Sequence, residues 1–291
     1  MSKRSKGILF TILSALLFGV TPVLASITYR MGSNANTLTF YRNLLAVPFL
    51  AVFMLIRHIP FRVTKKELCF LVLIGAGFRA TTTLMLYSSY DLVGIGTATT
   101  LHYLYPLFTS LFCLIFFRDR LSPGKIAALV LATAGVALTG GRTESAAVSG
   151  VILAISSAVT FACYLTGMDK SCLRDMDVYK VSFYVALLNA AVMALFDLPF
   201  GRIVYLLPPA AFSLTAVIAA CTSFLAIVLL QIGIQILGAG SAAVFSMFEP
   251  ITCVIAGWLL LHEEMTALKA LSCLLILGGV SILIFSDRKK E

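Results

Sequence analysis

Three charged residues of this chain lie inside long apolar runs, where charge is costly and chemistry is expected. Arg79 lies in the run at 67–89, Glu249 in the run at 238–261 and Arg42 in the run at 36–56. A charge within a membrane helix costs about 2.5–3.5 kcal/mol on insertion scales, so it is expected to face a cavity or a partner. The planar fork of arginine fits carboxylate or phosphate groups. The three side chains therefore predict a binding site for an anionic or zwitterionic molecule.

Arg79 and Glu249 are expected to lie at a similar depth in the membrane. Arg79 lies roughly 18 Å below the end of its predicted helix, with Glu249 at a similar depth, whereas Arg42 lies only roughly 9 Å below. A zwitterion would place its carboxylate on Arg79 and its ammonium on Glu249. The alternative is structural, because Arg and Glu side chains also pair simply to hold helices together. For Arg42 and Glu249 the sequence leaves both interpretations open.

A histidine flanked by tyrosines extends the predicted site. His102, Tyr103 and Tyr105 lie in one short stretch of a further apolar run. Histidine within a membrane helix relays protons, binds ligands or packs as a neutral side chain. Tyr105 occupies the position that Glu249 holds in a repeat described below, and each precedes a proline that permits a helix kink. We expect all three aromatic side chains to face the bound molecule.

Tyr87 and Gln231 complete the predicted binding site. Tyr87 and Tyr90 end the third apolar run, where tyrosine is often an anchor at the membrane interface. Tyr87 is nevertheless assigned to the site. Gln231 and Gln235 are four residues apart and share a helix face, which lines the cavity or bonds a neighbouring helix. The predicted binding residues are therefore Arg79, Glu249, Arg42, His102, Tyr105, Tyr103, Tyr87 and Gln231.

Composition identifies the elements that must hold this site. The chain is 60% hydrophobic and 12% charged, with a mean hydropathy of +1.00, which indicates lipid as its solvent. A membrane-spanning helix needs about 20 apolar residues. The sequence therefore predicts an all-α integral membrane protein with ten transmembrane helices. The segments are 7–29, 36–56, 67–89, 94–117, 123–141, 148–169, 178–198, 209–234, 238–261 and 266–286.

The chain contains the same five-helix unit twice. Residues Gly96–Leu138 align without a gap on Gly240–Ile282 at a shift of 144, and the earlier part of each half aligns at a shift of 143. We place the repeats at 1–144 and 145–291. Duplicated membrane halves are typical of transporters, whose substrate site lies near mid-membrane between the repeats.

The distribution of basic residues predicts the orientation of the chain. With a cytoplasmic N-terminus, 16 of the 22 Lys and Arg residues lie in cytoplasmic segments and four in outer loops. This bias follows the positive-inside rule and places both termini in the cytoplasm. Because each repeat has an odd number of helices, the second repeat is inverted relative to the first. Inverted repeats are the structural basis of alternating access.

Paired motifs at equivalent places in the two halves resemble a known family. Leu104–Phe108 and Phe248–Thr252 each precede an apolar helix, and the charged turns Arg118–Leu121 and His262–Met265 follow. With Arg42 early in the second helix, the chain resembles the EamA-type ten-helix branch of the drug/metabolite transporter superfamily. It departs from that family at Asp119, where a glutamate is usual. The resemblance implies an inverted five-plus-five bundle with a central cavity, and members move amino acids, other metabolites, nucleotide-sugar-like anions or drugs.

Other functional classes lack their sequence signatures. The chain has no P-loop, HExxH or GxSxG motif, so we expect no enzyme activity, no catalytic residue and no cofactor. Its seven cysteines include no CxxC pair, and they predict small apolar side chains rather than a metal site. The net charge of +9 lies in short loops, which reflects membrane topology rather than binding of nucleic acid.

These observations together predict a secondary active transporter in the cell membrane. It would carry a small amino-acid-like or organic-acid metabolite by alternating access, coupled to protons through Glu249 or by exchange. The expected partners are the substrate, membrane lipids and protons, and the chain would act as a monomer or a homodimer. The alternative is a flippase for a lipid-linked headgroup, which the same scaffold would support. A channel or an intramembrane enzyme is less well supported, since neither a repeated filter motif nor a catalytic constellation is present.

Overall fold

The fold is known from a computed structural model that describes residues 2–119, 122–139, 148–262 and 264–288. All the regular secondary structure in these residues is helical. The predicted repeat boundary at 144 and 145 lies outside the described residues. So do the last two residues of the predicted segment 123–141, as well as Arg120, Leu121 and Glu263 of the charged turns.

Fourteen α-helices are present in the described part of the chain. Two π-helical segments, Val72–Ala80 and Ala219–Ala226, join helices without interrupting them, and the short 3-10 helices are Cys172–Asp175 and Leu198–Phe200. The α-helices are α1 (Lys3–Arg30), α2 (Ala35–Ile56), α3 (Lys65–Leu71), α4 (Thr81–Val93), α5 (Ile95–His102), α6 (Tyr105–Phe117), α7 (Pro123–Thr139), α8 (Val148–Lys170), α9 (Val178–Asp197), α10 (Pro209–Ile218), α11 (Ile227–Leu237), α12 (Ala239–Phe245), α13 (Phe248–Leu261) and α14 (Ala267–Arg288).

These helices form ten spans. The third span consists of α3, the first π segment and α4, and the eighth consists of α10, the second π segment and α11. The fourth span joins α5 to α6 and the ninth joins α12 to α13, while each remaining span is one helix. Among the described residues, nine spans are long and apolar enough to cross a membrane, and Pro123–Leu138 within α7 is apolar but shorter. The all-α membrane fold with ten helices is therefore confirmed.

The fourth and ninth spans each break at equivalent places. Turns at 103–104 and 246–247 separate the two helices of each span. Pro106 and Pro250 follow as early residues of α6 and α13, where a missing backbone N–H is tolerated. The two prolines, predicted to permit a kink, each follow such a break in the helix.

Single glycines connect the third span to the fourth and the eighth span to the ninth. Gly94 has φ +78° and ψ 154°, and Gly238 has φ +79° and ψ 158°. This backbone region is accessible almost exclusively to glycine. Arg118 and His262, at the ends of the fourth and ninth spans, share a left-handed φ of +55°. The two repeats therefore adopt the same backbone conformation at matched positions.

Hydrogen bonds connect the two repeats at both faces of the bundle. The face that holds the start of α1 and the end of α14 is called the terminal face. There the Tyr184 hydroxyl donates to the Phe61 carbonyl at 2.6 Å. At the opposite face, the Asn34 amide donates to the Arg202 carbonyl at 2.8 Å. Each bond joins one repeat to the other, so segments predicted to share a face do contact each other.

Candidate functional site

Arg79 lies at the centre of the third span, within its π-helical segment Val72–Ala80. The guanidinium carbon of Arg79 lies 5.1 Å from the ring centroid of Phe161 and 5.6 Å from that of Tyr164. These two rings, called the aromatic pair, stack on each other with centroids 5.7 Å apart and both belong to α8. A π segment widens a helix locally and is frequent at functional sites. The first repeat thus presents its arginine to aromatic rings of the second repeat.

Glu249 lies in the first turn of α13, directly after the break in the ninth span. The Tyr103 hydroxyl donates a long hydrogen bond of 3.4 Å to its Oε1. The helix dipole also favours a negative group at this position. A Cβ added to Gly19 would lie 2.5 Å from the Glu249 carbonyl oxygen, so glycine there lets α1 pack directly against this turn. The carboxyl group is therefore held by α13 and Tyr103 and remains half-buried.

The three charged residues are close but do not pair. Glu249 interacts electrostatically with Arg79 and with Arg42. Neither arginine lies within 4.0 Å of the carboxylate as a salt bridge, because the salt bridges among the described residues lie elsewhere. All three side chains are half-buried rather than sealed in the core. Since a purely structural role would be best served by a direct pair, this geometry favours contact with a bound molecule.

Arg42 lies nearer the opposite face, among tyrosines. Tyr29, Tyr87 and Tyr90 are near enough to interact electrostatically with one another, and both Tyr29 and Tyr90 interact with Arg42. The Tyr87 and Tyr90 rings lie 5.3 Å apart, and the Thr39 hydroxyl donates to the Tyr87 hydroxyl at 2.7 Å. The Nε of Arg42 is buried without a hydrogen-bond partner. Tyr87 therefore belongs to the same group of tyrosines as the two that interact with Arg42, and its contact with a ligand stays a prediction.

His102 and Tyr105 are buried behind the aromatic pair. The His102 ring lies 5.4 Å from Phe161, and Tyr105 meets Phe161 edge to face at 4.7 Å. His102 Nδ1 lies 2.9 Å from the Ser157 hydroxyl, which donates its own proton to the Ala154 carbonyl at 2.6 Å. Nδ1 is therefore the donor to Ser157, and this bond fixes the tautomer. Both side chains support Phe161, and direct contact with a ligand stays a prediction.

Gln231 supports the second ring of the aromatic pair. Its amide donates to the Tyr164 hydroxyl at 2.7 Å, and only 3% of the residue is exposed. Gln235, four residues later, instead donates to the carbonyls of Arg174 and Met176 at the terminal face. Gln231 therefore orients Tyr164 beneath Arg79. The two glutamines were predicted to share a helix face, but their side chains bond different parts of the protein: Gln231 bonds Tyr164, and Gln235 bonds the terminal face.

Four site residues are not among those predicted from sequence: Phe161, Tyr164, Tyr29 and Tyr90. The only signal for Phe161 is its repeat partner Phe18. Tyr164 follows Phe161 by three residues, which places both rings on one helix face. Tyr29 and Tyr90 lie near the ends of their helices, as interface anchors do, and only the structure reveals their nearness to Arg42.

A second polar region lies at the terminal face. Lys170 forms a salt bridge of 2.8 Å with Asp119, and Asp169 lies 3.5 Å from Lys170 and 3.4 Å from Arg174. We call these four side chains the ionic cluster. Asp119 follows the fourth span, Asp169 and Lys170 end the sixth, and Arg174 lies in the 3-10 helix after it, so the cluster ties the first repeat to the second. A cavity of about 420 Å³ beside it is lined by Arg174, Asp175, Met176, Asp177, Val178, Ile232 and Gln235.

Comparison with known proteins identifies the class to which this architecture belongs. The sequence profile of the EamA-like transporter family matches residues 5–141 and again residues 148–285. The matches cover both halves of the ten-span bundle, as a two-repeat membrane carrier requires. The chain belongs to the EamA-like transporter family and is therefore a membrane transporter of small solutes.

Individual relatives agree with the family match. The chain is 27% identical to "Uncharacterized transporter YcbK" of Bacillus subtilis (strain 168), across 97% of this chain and 92% of that protein. It is also 27% identical to "Solute carrier family 35 member G1" of Mus musculus, across 65% of this chain and 55% of that protein. A solved crystal structure superposes with a TM-score of 0.85 across 99% of both chains at 20% identity, which shows a common fold.

Proposed function

We propose that this protein is a secondary active transporter that moves a small anionic or zwitterionic metabolite by alternating access between its repeats. The proposal is based on the environment of Arg79. Its guanidinium is half-buried at mid-span, rests on the aromatic pair and forms no salt bridge with any described acidic residue. Arginine keeps its charge in proteins, so an anionic group of the cargo is its natural partner.

Glu249 is the second anchor in this proposal. For a zwitterionic cargo, Glu249 accepts the ammonium group while Arg79 binds the carboxylate. For an anionic cargo, Glu249 instead takes up a proton, and cargo movement is then coupled to protons. The Tyr103 hydroxyl donates to the carboxylate in the first case and accepts from the carboxylic acid in the second. Both cases use the same three side chains.

The proposed topology follows from charge and from the inverted repeats. Both termini are cytoplasmic and the terminal face is the cytoplasmic face, because 16 of the 22 Lys and Arg residues belong to it in that orientation. The location is the plasma membrane. A boundary between the repeats at residues 144 and 145 places five spans on each side. One chain holds both repeats, so a monomer suffices for the cycle and a homodimer is compatible with it.

The test is a thermal-shift screen of the purified protein against small carboxylates, phosphates, amino acids, cations and neutral compounds. An anionic or zwitterionic class should stabilise the protein saturably, and Arg79→Ala should weaken its binding by about 10- to 150-fold, the equivalent of one charged hydrogen bond. Arg57→Ala is the matched control, because Arg57 is an exposed arginine outside the site.

Two results would contradict the proposal. Equal stabilisation of the wild type and Arg79→Ala by cations or neutral compounds would make Arg79 structural. Stabilisation only by lipid-linked headgroups, with no response to soluble metabolites, would instead assign the protein to lipid transport.

A further inference from the structure

The Nε–H donor of Arg42 has no hydrogen-bond acceptor within the part of the protein that the structure describes. The Nε atom is buried. A buried N–H of a charged group costs free energy unless an acceptor meets it. The repeat equivalent of Arg42 is Val185, which is buried and apolar, so the bundle does not require a charge at this position. An external acceptor is therefore the simplest reason for the guanidinium to be here.

The neighbours of Arg42 supply a second donor. Because the Thr39 hydroxyl donates to the Tyr87 hydroxyl, the phenolic proton of Tyr87 is available for another acceptor. Tyr90 packs beside Tyr87 with ring centroids 5.3 Å apart. Thr39 and Arg42 are three residues apart on α2, so the Tyr87 hydroxyl lies on the helix face that carries the guanidinium. A guanidinium N–H and a phenolic O–H on one face match a group that only accepts hydrogen bonds. Carboxylate and phosphate are such groups.

Arg42 lies at a different depth from Arg79. Arg42 is seven residues into α2, or about 11 Å from the opposite face, and Arg79 is 14 residues from either end of the third span, or about 21 Å. The two arginines nevertheless interact electrostatically, and both interact with Glu249. Among these three residues, two positive charges face one negative charge, which leaves an excess of one positive charge. A cargo with net negative charge neutralises it.

We propose that Arg42 and Tyr87 form a second acid-binding subsite on the opposite-face side of Arg79, so that the preferred cargo carries two acidic groups. One group binds Arg79 and the other binds Arg42, and Glu249 accepts an amino group where the cargo has one. This inference rests on the proposed function and narrows its substrate class from any small anion or zwitterion to diacids and amino diacids.

The experiment compares pairs of ligands that differ only in the second acidic group. Binding of glutamate and glutamine, and of glutarate and its monoamide, is measured on the full chain by calorimetry or thermal shift. The wild type should bind each diacid at least about tenfold more tightly than its amide, as expected for one charged hydrogen bond. Arg42→Gln should bring this ratio close to one, because each diacid loses more affinity than its amide.

Controls separate this inference from the proposed function. Tyr87→Phe removes one donor without changing charge and should reduce the ratio, whereas Arg57→Gln, an exposed charge loss elsewhere, should preserve it. Equal binding of diacid and amide by the wild type, or an unchanged ratio in Arg42→Gln, overturns the second subsite. If no acid binds the wild type at all, the proposed function itself fails. If the amides bind and Arg79→Ala abolishes that binding, the proposed function stands whatever the ratio shows.

Discussion

The three charged residues at the centre of the bundle have uncharged counterparts in the other repeat. Glu249 corresponds to Tyr105, Arg42 to Val185, and Arg79 to a position near Thr222 and Ser223. These counterparts are buried, and the Thr222 hydroxyl donates to its own helix at the Ile218 carbonyl. The fold is thus stable with uncharged side chains at these depths. In the proposed function, the three charges serve to bind the cargo rather than to stabilise the fold.

Replacing Glu249 by glutamine tests the role of its proton. Glutamine keeps the size and polarity of the side chain but neither binds an ammonium group by charge nor titrates. If the carboxyl group carries the coupled proton, Glu249→Gln should abolish the dependence of transport on a pH gradient. The measurement is uptake of the stabilising ligand into proteoliposomes at several internal and external pH values.

The same variant also distinguishes the two forms of cargo. A zwitterionic cargo should lose affinity in Glu249→Gln by about 10- to 150-fold, because a charged hydrogen bond is lost. An anionic cargo should keep its affinity while its pH response disappears. A variant that retains the wild-type transport rate, affinity and pH response would remove Glu249 from the mechanism.

Sequence reasoning identified the charges of the site but not their aromatic partners. Charge within an apolar run is conspicuous because of its cost, so Arg79, Glu249 and Arg42 stand out. Phe161 and Tyr164 do not, because lipid-facing and cavity-facing rings look alike in a run that is apolar on all sides. For Gln231 the sequence left open whether it lines the cavity or bonds a neighbouring helix, and the structure shows a bond to Tyr164 of α8.

At the scale of elements, the breaks and turns occur at matched places in the two repeats. The spans were predictable because each needs about 20 apolar residues, and the kinks were predictable because Pro106 and Pro250 lack a backbone N–H. The π segments Val72–Ala80 and Ala219–Ala226 were not predictable. Periodicity reveals helix type only when polar and apolar faces alternate, and these stretches contain almost no polar residues to mark a face.

Gly94 offers a clean test of the single-residue connection between spans. An added Cβ there would meet nothing within 4 Å, so any cost of Gly94→Ala arises from its φ of +78° rather than from packing. We expect a loss of about 1–3 kcal/mol in the free energy of unfolding. The measurement is the unfolding midpoint in detergent solution, followed by helical circular dichroism.

Gly278→Ala is the matched control for that substitution. Gly278 lies within α14, and an added Cβ there also meets nothing within 4 Å, but its backbone is helical. Alanine should therefore leave stability unchanged or raise it by up to about 1 kcal/mol. Equal midpoints for the two variants would show that the connection at Gly94 tolerates a side chain.

At the scale of the whole molecule, the ionic cluster fastens the terminal face. It joins the end of the fourth span to the end of the sixth, through Asp119 and Lys170. The repeat equivalents of Asp169 and Lys170 are Ser26 and Ile27, so the opposite face has no such pair at these two positions. In the proposed cycle, the cluster must separate whenever the terminal face opens.

Lys170→Met removes one member of the ionic cluster and should make opening of the terminal face more frequent. Cys113 is buried in α6 near the cluster, so its labelling by a water-soluble maleimide reports opening of the terminal face. In a variant whose only cysteine is Cys113, Lys170→Met should speed labelling by about two- to fivefold. This corresponds to the loss of up to about 1 kcal/mol expected for a partly exposed ion pair. Lys66→Met, an exposed charge loss at the same face, should leave the labelling rate unchanged.

A lower or unchanged labelling rate in Lys170→Met would show that the cluster does not limit opening. A raised rate that falls again when the ligand of the thermal-shift screen is added would show that cargo favours the closed terminal face.

The unequal distribution of charge between two matched backbones has a consequence for the empty carrier. In the proposed cycle, exchanging the conformations of the repeats would restore nearly the same backbone arrangement. It would move Arg42, Arg79 and Glu249 into different surroundings and break the ionic cluster on one side only. The two end states of that cycle would therefore differ in free energy even without cargo. The empty protein would be predominantly open to one side of the membrane, and a cargo that binds the other state more tightly would offset the difference.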